Sequence, residues 1–183
     1  AKNIDEIINY TKKTGIDVAI TTNASTLNRI LTEECLSSIT WIKASVNGGN
    51  QKVYASIHHT KESDFEQVWN NLSQAIQLRN KHKLSTTIGV QMVLIPENIK
   101  TIKELCDCAV NAKVDYVVLK PYSQNPNSID TIGKGFDTIN FQESNWIENE
   151  IAPYNGKLNV IYRSRTASYL LEPERPYTKC QST

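Results

Sequence analysis

The sequence lacks the features that mark several large classes of protein. None of its apolar runs approaches the roughly 20 residues of a membrane-spanning helix, and its first residues do not resemble a secretory signal. Its 7 glycines and 6 prolines are too few for a collagen-like, disordered or turn-dominated all-β chain. An excess of one charge is also missing, because 20 Lys and Arg residues balance 19 Asp and Glu residues. We therefore expect no general affinity for nucleic acid or for anionic membranes.

Cysteine is scarce and irregularly placed. The four cysteines, at positions 35, 106, 108 and 180, form no C-x-x-C pair and no spacing typical of zinc. Reduced thiols in a cytoplasmic protein are therefore expected. The chain begins at Ala1, already in a helical period, and ends soon after Cys180. We expect a piece of a longer protein.

Alternating helical and extended periods dominate the first two thirds of the chain. Helices are predicted over 3–14, 25–36, 64–82 and 99–110, and strands over 17–23, 39–46, 87–95 and 115–120. This order predicts an α/β fold with a parallel sheet and right-handed crossovers, and 183 residues suffice for one such domain.

The composition changes after Tyr122. A polar stretch over 123–140 is predicted to be a loop, and its Gly133-Lys-Gly135 segment lacks a complete phosphate-loop pattern. A helix over 141–150 and a strand over 157–163 follow, and 173–183 shows no period. We therefore divide the chain into a core, 1–123, and a C-terminal extension, 124–183.

One segment allows two interpretations. Asn47-Gly48-Gly49 is typical of a β-hairpin turn, which would make 52–57 an antiparallel return strand. Val53, Tyr54 and Ile57 also suit a helical turn. The surrounding alternation favours a loop that leads from a strand into a helix.

Polar residues collect near the carboxyl ends of the predicted strands. They are Asn23, Lys43, Ser45, Asn47, Gln91 and Lys120. Parallel α/β folds bind ligands at that edge, and burying such groups without partners costs about 1–3 kcal/mol each. We therefore expect a polar ligand there, with Ala44, Gly48, Gly49 and Gly89 leaving room for it. The alternative is that these groups bond to one another and to the loops.

The sequence signals at other residues are less specific. Lys43 or Lys120 would suit a Schiff-base lyase, which is an alternative function. His58 and His59 are predicted to lie in a solvated loop. Trp41 is predicted to pack in the core, as are Trp69, Trp146 and Cys106, while Cys108 is an incidental thiol.

Four segments together resemble a known enzyme family. Ile20-Thr-Thr-Asn-Ala24, Ile42-Lys-Ala-Ser-Val-Asn-Gly48, Ile88-Gly-Val-Gln-Met-Val-Leu-Ile-Pro-Glu-Asn98 and Val118-Leu-Lys-Pro-Tyr122 are similar to the third to sixth strands of a radical S-adenosylmethionine enzyme core. The resemblance covers about residues 1–123. It implies a partial TIM-type (β/α) barrel that contains strands three to six of six.

The resemblance also implies cofactors. Such an oxidoreductase cleaves S-adenosylmethionine at a [4Fe–4S] cluster and forms a 5′-deoxyadenosyl radical, which abstracts hydrogen from the substrate. The family's CxxxCxxC loop and Gly-Gly-Glu-Pro segment are absent here, so we expect them upstream and expect this chain alone to be inactive. Partners implied are a small-molecule or peptide substrate and an electron donor such as flavodoxin or ferredoxin.

Site residues follow from the same resemblance. Ser45 and Asn47 match positions that hold the ribose or methionyl part of the cofactor, and Gln91 matches a contact to the same region. Asn23 matches a Thr-Asn motif beside the methionyl end. Lys61 corresponds loosely to a basic residue that meets the cofactor carboxylate.

Three further positions would lie near the adenine. Ile95, Leu119 and Lys120 match positions where backbone contacts matter more than the side chain. Tyr177-Thr-Lys-Cys180 resembles the start of a SPASM-like extension, in which the first cysteine ligates an auxiliary cluster. A non-catalytic α/β ligand-binding module remains the alternative from a different functional class.

Overall fold

The computed structural model describes residues 3–122 and 145–164, and these form an α/β structure with a five-stranded sheet. The strands are β1 (Val18–Thr22), β2 (Ile39–Ser45), β3 (Thr87–Leu94), β4 (Tyr116–Pro121) and β5 (Asn159–Tyr162). The α-helices are α1 (Ile4–Lys13), α2 (Glu33–Ser37), α3 (Gln51–His58), α4 (Ser63–Lys81), α5 (Ile102–Ala112) and α6 (Trp146–Ile151). Short 3₁₀ turns cover Leu27–Ile30, Ile99–Thr101 and Ala152–Tyr154.

The sheet is parallel throughout and follows the order of the chain. Its strands are ordered β1-β2-β3-β4-β5, and each pairs in parallel with the next. Right-handed crossovers between successive neighbours place the connecting helices on the same side of the sheet. The predicted parallel α/β architecture is confirmed, and its arrangement is that of part of a barrel.

The helices form one layer over one face of the sheet. Contacts run from α1 to α2, on to α4, then α5 and α6. Beneath them lies the core, whose fully buried members include Ile42, Ile88, Met92 and Leu119. Strand alternation assigns each sheet residue either to this helix-covered face or to the opposite one.

We call the opposite side the open face. Its residues are on average more exposed than those of the helix-covered face, and Ile161, for example, is 42% exposed. Strand register brings the following residues together on it: Ala19, Thr21, Trp41, Lys43, Ser45, Thr87, Gly89, Gln91, Val93, Tyr116, Val118, Lys120, Asn159 and Ile161.

The ambiguous segment after β2 is helical. Asn50 caps α3, because its Oδ1 accepts a hydrogen bond of 3.1 Å from the backbone N–H of Val53. The predicted loop between strand and helix is therefore confirmed, and the hairpin alternative is wrong.

The prediction of a single helix over 25–36 is wrong. A 3₁₀ turn, Leu27–Ile30, is followed by an extended residue, Thr32, at ψ 155°. The Thr32 hydroxyl accepts a hydrogen bond from the N–H of Cys35 and so starts the short helix α2. Apolar residues on both sides of this break reach the core, and their spacing imitates one continuous helical stripe.

The sheet continues beyond the predicted core. The strand predicted over 157–163 is present as β5 and pairs with β4, and α6 packs on α5. The boundary after residue 123 stays a prediction. The loop over 123–140, the glycines at 133 and 135, the segment 173–183 and Cys180 lie outside the described residues.

No helix in 3–122 or 145–164 is both long and apolar enough to cross a membrane.

Candidate functional site

A cleft opens at the carboxyl edge of the sheet. Its volume is about 710 Å³. Its walls combine apolar and polar groups from the ends of β2, β3 and β4 and from α3. The lining residues are Asn47, Ser56, Ile57, His59, Val93, Ile95, Glu97, Lys120, Pro121 and Tyr122. The site therefore lies where parallel α/β folds place their ligands.

Asn47 joins two strands at the base of this cleft. Its Oδ1 accepts a hydrogen bond of 2.9 Å from the backbone N–H of Val93, in the neighbouring strand. Its own carbonyl accepts a bond of 3.1 Å from the Nδ2 group of Asn98. Asn47 is therefore partly structural, because it fixes the ends of β2 and β3 relative to each other.

Asn98 is fully buried beneath the cleft and was missed by the sequence reasoning. Its Nδ2 group also donates to the carbonyl of Val93, at 2.8 Å, and its Oδ1 accepts from the N–H of Ile95, at 2.9 Å. One side chain thus satisfies three backbone groups, one in β3 and one in each of the loops that follow β2 and β3. An Asn directly after Pro96-Glu97 is typical of turn chemistry, and this was the signal available.

The glycines after β2 do not leave room for a ligand. A Cβ on Gly49 would overlap the carbonyl oxygen of Thr101, and a Cβ on Gly48 would overlap the backbone of Tyr54. The Gly49 N–H donates to the Thr101 hydroxyl at 2.9 Å. These glycines therefore permit close packing of the strand end against helices, which corrects the sequence expectation.

The other two small residues, Ala44 and Gly89, leave no room for a ligand either. Ala44 is fully buried on the helix-covered face. A Cβ on Gly89 would overlap the ring of Tyr116, which lies across this glycine from the neighbouring strand. Aromatic rings commonly pack over glycines in strands, and here the Tyr116 ring occupies the space above Gly89.

His58 supports the same edge. Its Nε2 accepts a hydrogen bond of 3.2 Å from the N–H of Asn47, and its ring stacks on Tyr54 with centroids 4.2 Å apart. Burial lowers the pKa of His58, since the charged form loses hydration. The neutral ring that the hydrogen bond requires is thereby favoured. His59, by contrast, is exposed and lines the cleft.

The predicted site residues are only partly brought together. Asn47, Ile95 and Lys120 line the cleft. Ser45 and Gln91 are direct register partners on the open face, just before the ends of their strands. They share this face with Val93 and Lys120, which line the cleft.

Asn23 and Leu119 are placed differently. The Asn23 Oδ1 accepts hydrogen bonds from the N–H and the hydroxyl of Ser25, at 3.2 and 2.9 Å. The Leu119 side chain is buried on the helix-covered face, and its carbonyl accepts from the N–H of Arg163 at 3.0 Å. A ligand contact through the backbone of Leu119 therefore stays a prediction.

Trp41 lies on the open face and not in the core. The Lys43 ammonium nitrogen lies 5.6 Å from the centre of its ring. The indole therefore stabilises a cation, and the expectation that it packs in the core is wrong. The expectation is confirmed for Trp69 and Cys106, which are buried under the helices.

The described residues contain no cluster of three or more His, Cys, Asp or Glu side chains suited to a metal ion. Burial raises the pKa of Cys35 to about 11 and that of Cys106 to about 12, so both favour the protonated thiol. A [4Fe–4S] cluster needs several thiolates at one place. Residues 3–122 and 145–164 do not fit such a cluster.

Comparisons with known proteins give a structural match without a sequence match. No family model and no curated protein matches this sequence. The crystal structure of SuiB from Streptococcus suis matches 88% of the chain with a TM-score of 0.59 at 15% identity. SuiB bound to S-adenosylmethionine matches 96% at a TM-score of 0.59 and 14% identity. SuiB bound to the precursor peptide SuiA matches 92% at 0.59 and 14%.

These similarities establish the fold alone. The matched region is only 36%, 39% and 37% of the respective SuiB chains, so this chain spans well under half of their length.

Proposed function

We propose that this chain is the cofactor-holding part of a radical S-adenosylmethionine enzyme and that the cleft at the carboxyl edge binds S-adenosylmethionine. The observation that carries the proposal is the cleft itself, on a partial parallel barrel whose strand ends resemble that family in sequence. A protein of similar fold, SuiB, has been crystallised with S-adenosylmethionine. Sequence resemblance and structural similarity thus support the same ligand.

The cleft suits the chemistry of this cofactor. Ile57, Val93, Ile95 and Pro121 offer apolar surface for an adenine ring, and the volume of about 710 Å³ lies within the range of small-molecule sites, roughly 300–1,000 Å³. Polar atoms at the rim would orient the ribose and the methionyl group.

Individual roles follow from the positions of the side chains. Ser45, Asn47 and Gln91 would contact the ribose or the methionyl part from the ends of β2 and β3. Lys120 and Ile95 would lie beside the adenine. The Ile95 N–H already donates to Asn98, and its carbonyl accepts from the N–H groups of Asn98 and Ile99, so we assign its contact to the side chain.

Asn23 and Leu119, which also match cofactor positions of the family, do not line the cleft. Asn23 would reach the methionyl end only from the loop after β1, where its side chain also organises Ser25. The Leu119 carbonyl accepts from Arg163, and its second lone pair remains for a ligand.

We assign cofactor binding, and no step of radical formation, to the described residues. The radical chemistry of the family requires an iron–sulfur cluster, and the described residues do not fit one. The substrate we propose is a peptide, because SuiB has also been crystallised with a precursor peptide, SuiA.

Filling the cleft tests cofactor binding. Val93→Phe places a large ring in the cleft, and the backbone N–H that Asn47 needs remains. We expect the dissociation constant of S-adenosylmethionine, measured by calorimetry, to rise about tenfold or more, which is about 1.4 kcal/mol or more. Thr87→Phe is the matched control, on the same strand and face but at the exposed amino end. If the wild-type chain binds no S-adenosylmethionine, or both variants weaken it equally, the proposal is wrong.

A further inference from the structure

The open face carries positive charge and no negative charge among the residues that strand register places on it. Its charged members are Lys43, in the middle of β2, and Lys120, near the end of β4. The carboxylate of Glu97 lies at the rim of the cleft, beyond the end of β3. The part of this face around Lys43 therefore complements an anionic ligand.

Neither lysine has a carboxylate partner within the described part of the chain. The four ion pairs found there are Lys12–Asp17, Lys13–Glu34, Arg79–Asp115 and His82–Glu33, which all lie away from the open face. Lys43 is partly buried, and its contact to the Trp41 ring compensates only part of the lost hydration. A partly buried ammonium on an inner strand is poorly explained by stability alone, since lysine also disfavours strands.

Lys43 is surrounded by a glycine and two aromatic residues on the open face. Its register partner is Gly89, and the Tyr116 ring covers that glycine from the next strand. Trp41 lies before Lys43 on the same strand and face. One aromatic ring thus lies by the cation and a second covers its register partner, which is a suitable surface for an extended chain bearing a carboxylate.

We propose that the open face binds an acidic stretch of a peptide and that Lys43 is its ionic anchor, with the rings of Trp41 and Tyr116 as neighbouring apolar surface. The proposal rests on the proposed function and specifies its substrate class. Lys43 lies on β2, four residues before Asn47 in the loop that follows, and four extended residues span about 13 Å. A peptide anchored at Lys43 therefore needs only a few extended residues to reach the cleft edge.

Calorimetry with a blocked oligoglutamate peptide, at low ionic strength, tests this proposal on the 183-residue chain. We expect oligoglutamate to bind and oligoglutamine of equal length not to bind. Lys43→Gln should weaken binding about fivefold, as the loss of one ion pair predicts, and Lys43→Arg should restore it. Lys81→Gln, an exposed lysine at the end of α4, is the matched control and should leave binding unchanged.

Charge reversal provides the second variant. Lys43→Glu should abolish oligoglutamate binding and create binding of oligolysine, while circular dichroism verifies that the variant is folded. Failure of the wild-type chain to bind oligoglutamate overturns the proposal, as does an equal loss in the Lys43→Gln and Lys81→Gln variants.

A parallel titration with S-adenosylmethionine separates this inference from the proposed function. Cofactor binding without oligoglutamate binding refutes the acidic-peptide site alone. Oligoglutamate binding that depends on Lys43, without cofactor binding, supports the peptide site and refutes the cofactor assignment.

Discussion

The side-chain amide of Asn98 donates to the carbonyl of Asn47 at 3.1 Å and thereby connects the loop after β3 to the loop after β2. The same amide holds the carbonyl of Val93, and its oxygen holds the N–H of Ile95. Because the two loops form adjoining walls of the cleft, their relative position depends on one buried side chain.

Asn98→Asp should destabilise the protein strongly. The substitution keeps the size of the side chain but removes both donors, so the carbonyls of Asn47 and Val93 lose their partners and face a buried carboxyl. Each unsatisfied buried group costs about 1–3 kcal/mol, so we expect urea unfolding to show a loss of about 3 kcal/mol or more. Asn111→Asp, at an exposed position of α5, should change the free energy of unfolding little. Equal effects would contradict the role assigned to Asn98.

His58 should make stability depend on pH. Its pKa is lowered in the folded state by burial, so the unfolded chain binds more protons just below its ordinary value near 6.5. The contribution of His58 is therefore retained above about pH 6.5 and lost as the pH falls through the lowered pKa. Urea unfolding at neutral and mildly acidic pH measures this loss.

The two adjacent histidines provide the control for that experiment. His58→Gln should reduce the acid-induced loss of stability, because it removes the group that accepts from the N–H of Asn47 only when neutral. His59→Gln, at the exposed neighbour, should leave the loss as in the wild type. Identical pH profiles for the wild-type protein and the His58 variant would refute the assignment.

Gly49→Ala should disrupt the end of β2. The added methyl group overlaps the backbone carbonyl of Thr101, so strand end and helix start must separate. Overpacking costs about 1–3 kcal/mol and occasionally more, and we expect the upper end here because the obstacle is backbone. Gly156→Ala meets no neighbouring atom and suffers only from its φ of +77°, which costs roughly 1–2 kcal/mol. Chemical denaturation should rank Gly49→Ala as the more damaging variant, and the reverse order would be inconsistent with this packing.

Stability should also fall in alkali. Burial raises the pKa of Cys106 to about 12, so above pH 9 the unfolded chain releases a proton that the folded chain retains. The contribution is complete below about pH 9 and is lost as the pH rises toward 12, by at most about 1.4 kcal/mol per pH unit. Cys106→Ala should therefore unfold with a shallower alkaline dependence. Ala109→Gly, buried on the same helix, should lower the free energy of unfolding by the same amount at every pH and so keep the alkaline dependence of the wild type.

The sheet was predictable because each βα unit has a recognisable pattern in its own local sequence. The strand predictions over 87–95 and 115–120 agree with β3 and β4 to within a residue or two, since apolar runs bounded by proline leave little choice. The break at Thr32 was not predictable in this way. Local spacing does not distinguish a continuous helix from two short ones that pack on the same core.

The site was predictable in its location but not in its contacts. The sequence placed Ser45 and Gln91 near the carboxyl ends of their strands, and the register makes them direct partners. The roles of Asn98 and Tyr116 depend on groups distant in sequence, such as the carbonyl of Asn47 and the bare backbone of Gly89. Such contacts are products of tertiary packing, which no single-sequence pattern records.

The strand order has a consequence for how the molecule assembles. Because each strand pairs with the strand that follows it in the chain, every pairing in the described sheet closes across a single connection between consecutive strands. The chain never has to bring distant segments together before nearer ones have formed, so loop-closure entropy accumulates in small steps. Folding can therefore proceed by accretion, with each new βα unit using the previous one as its template.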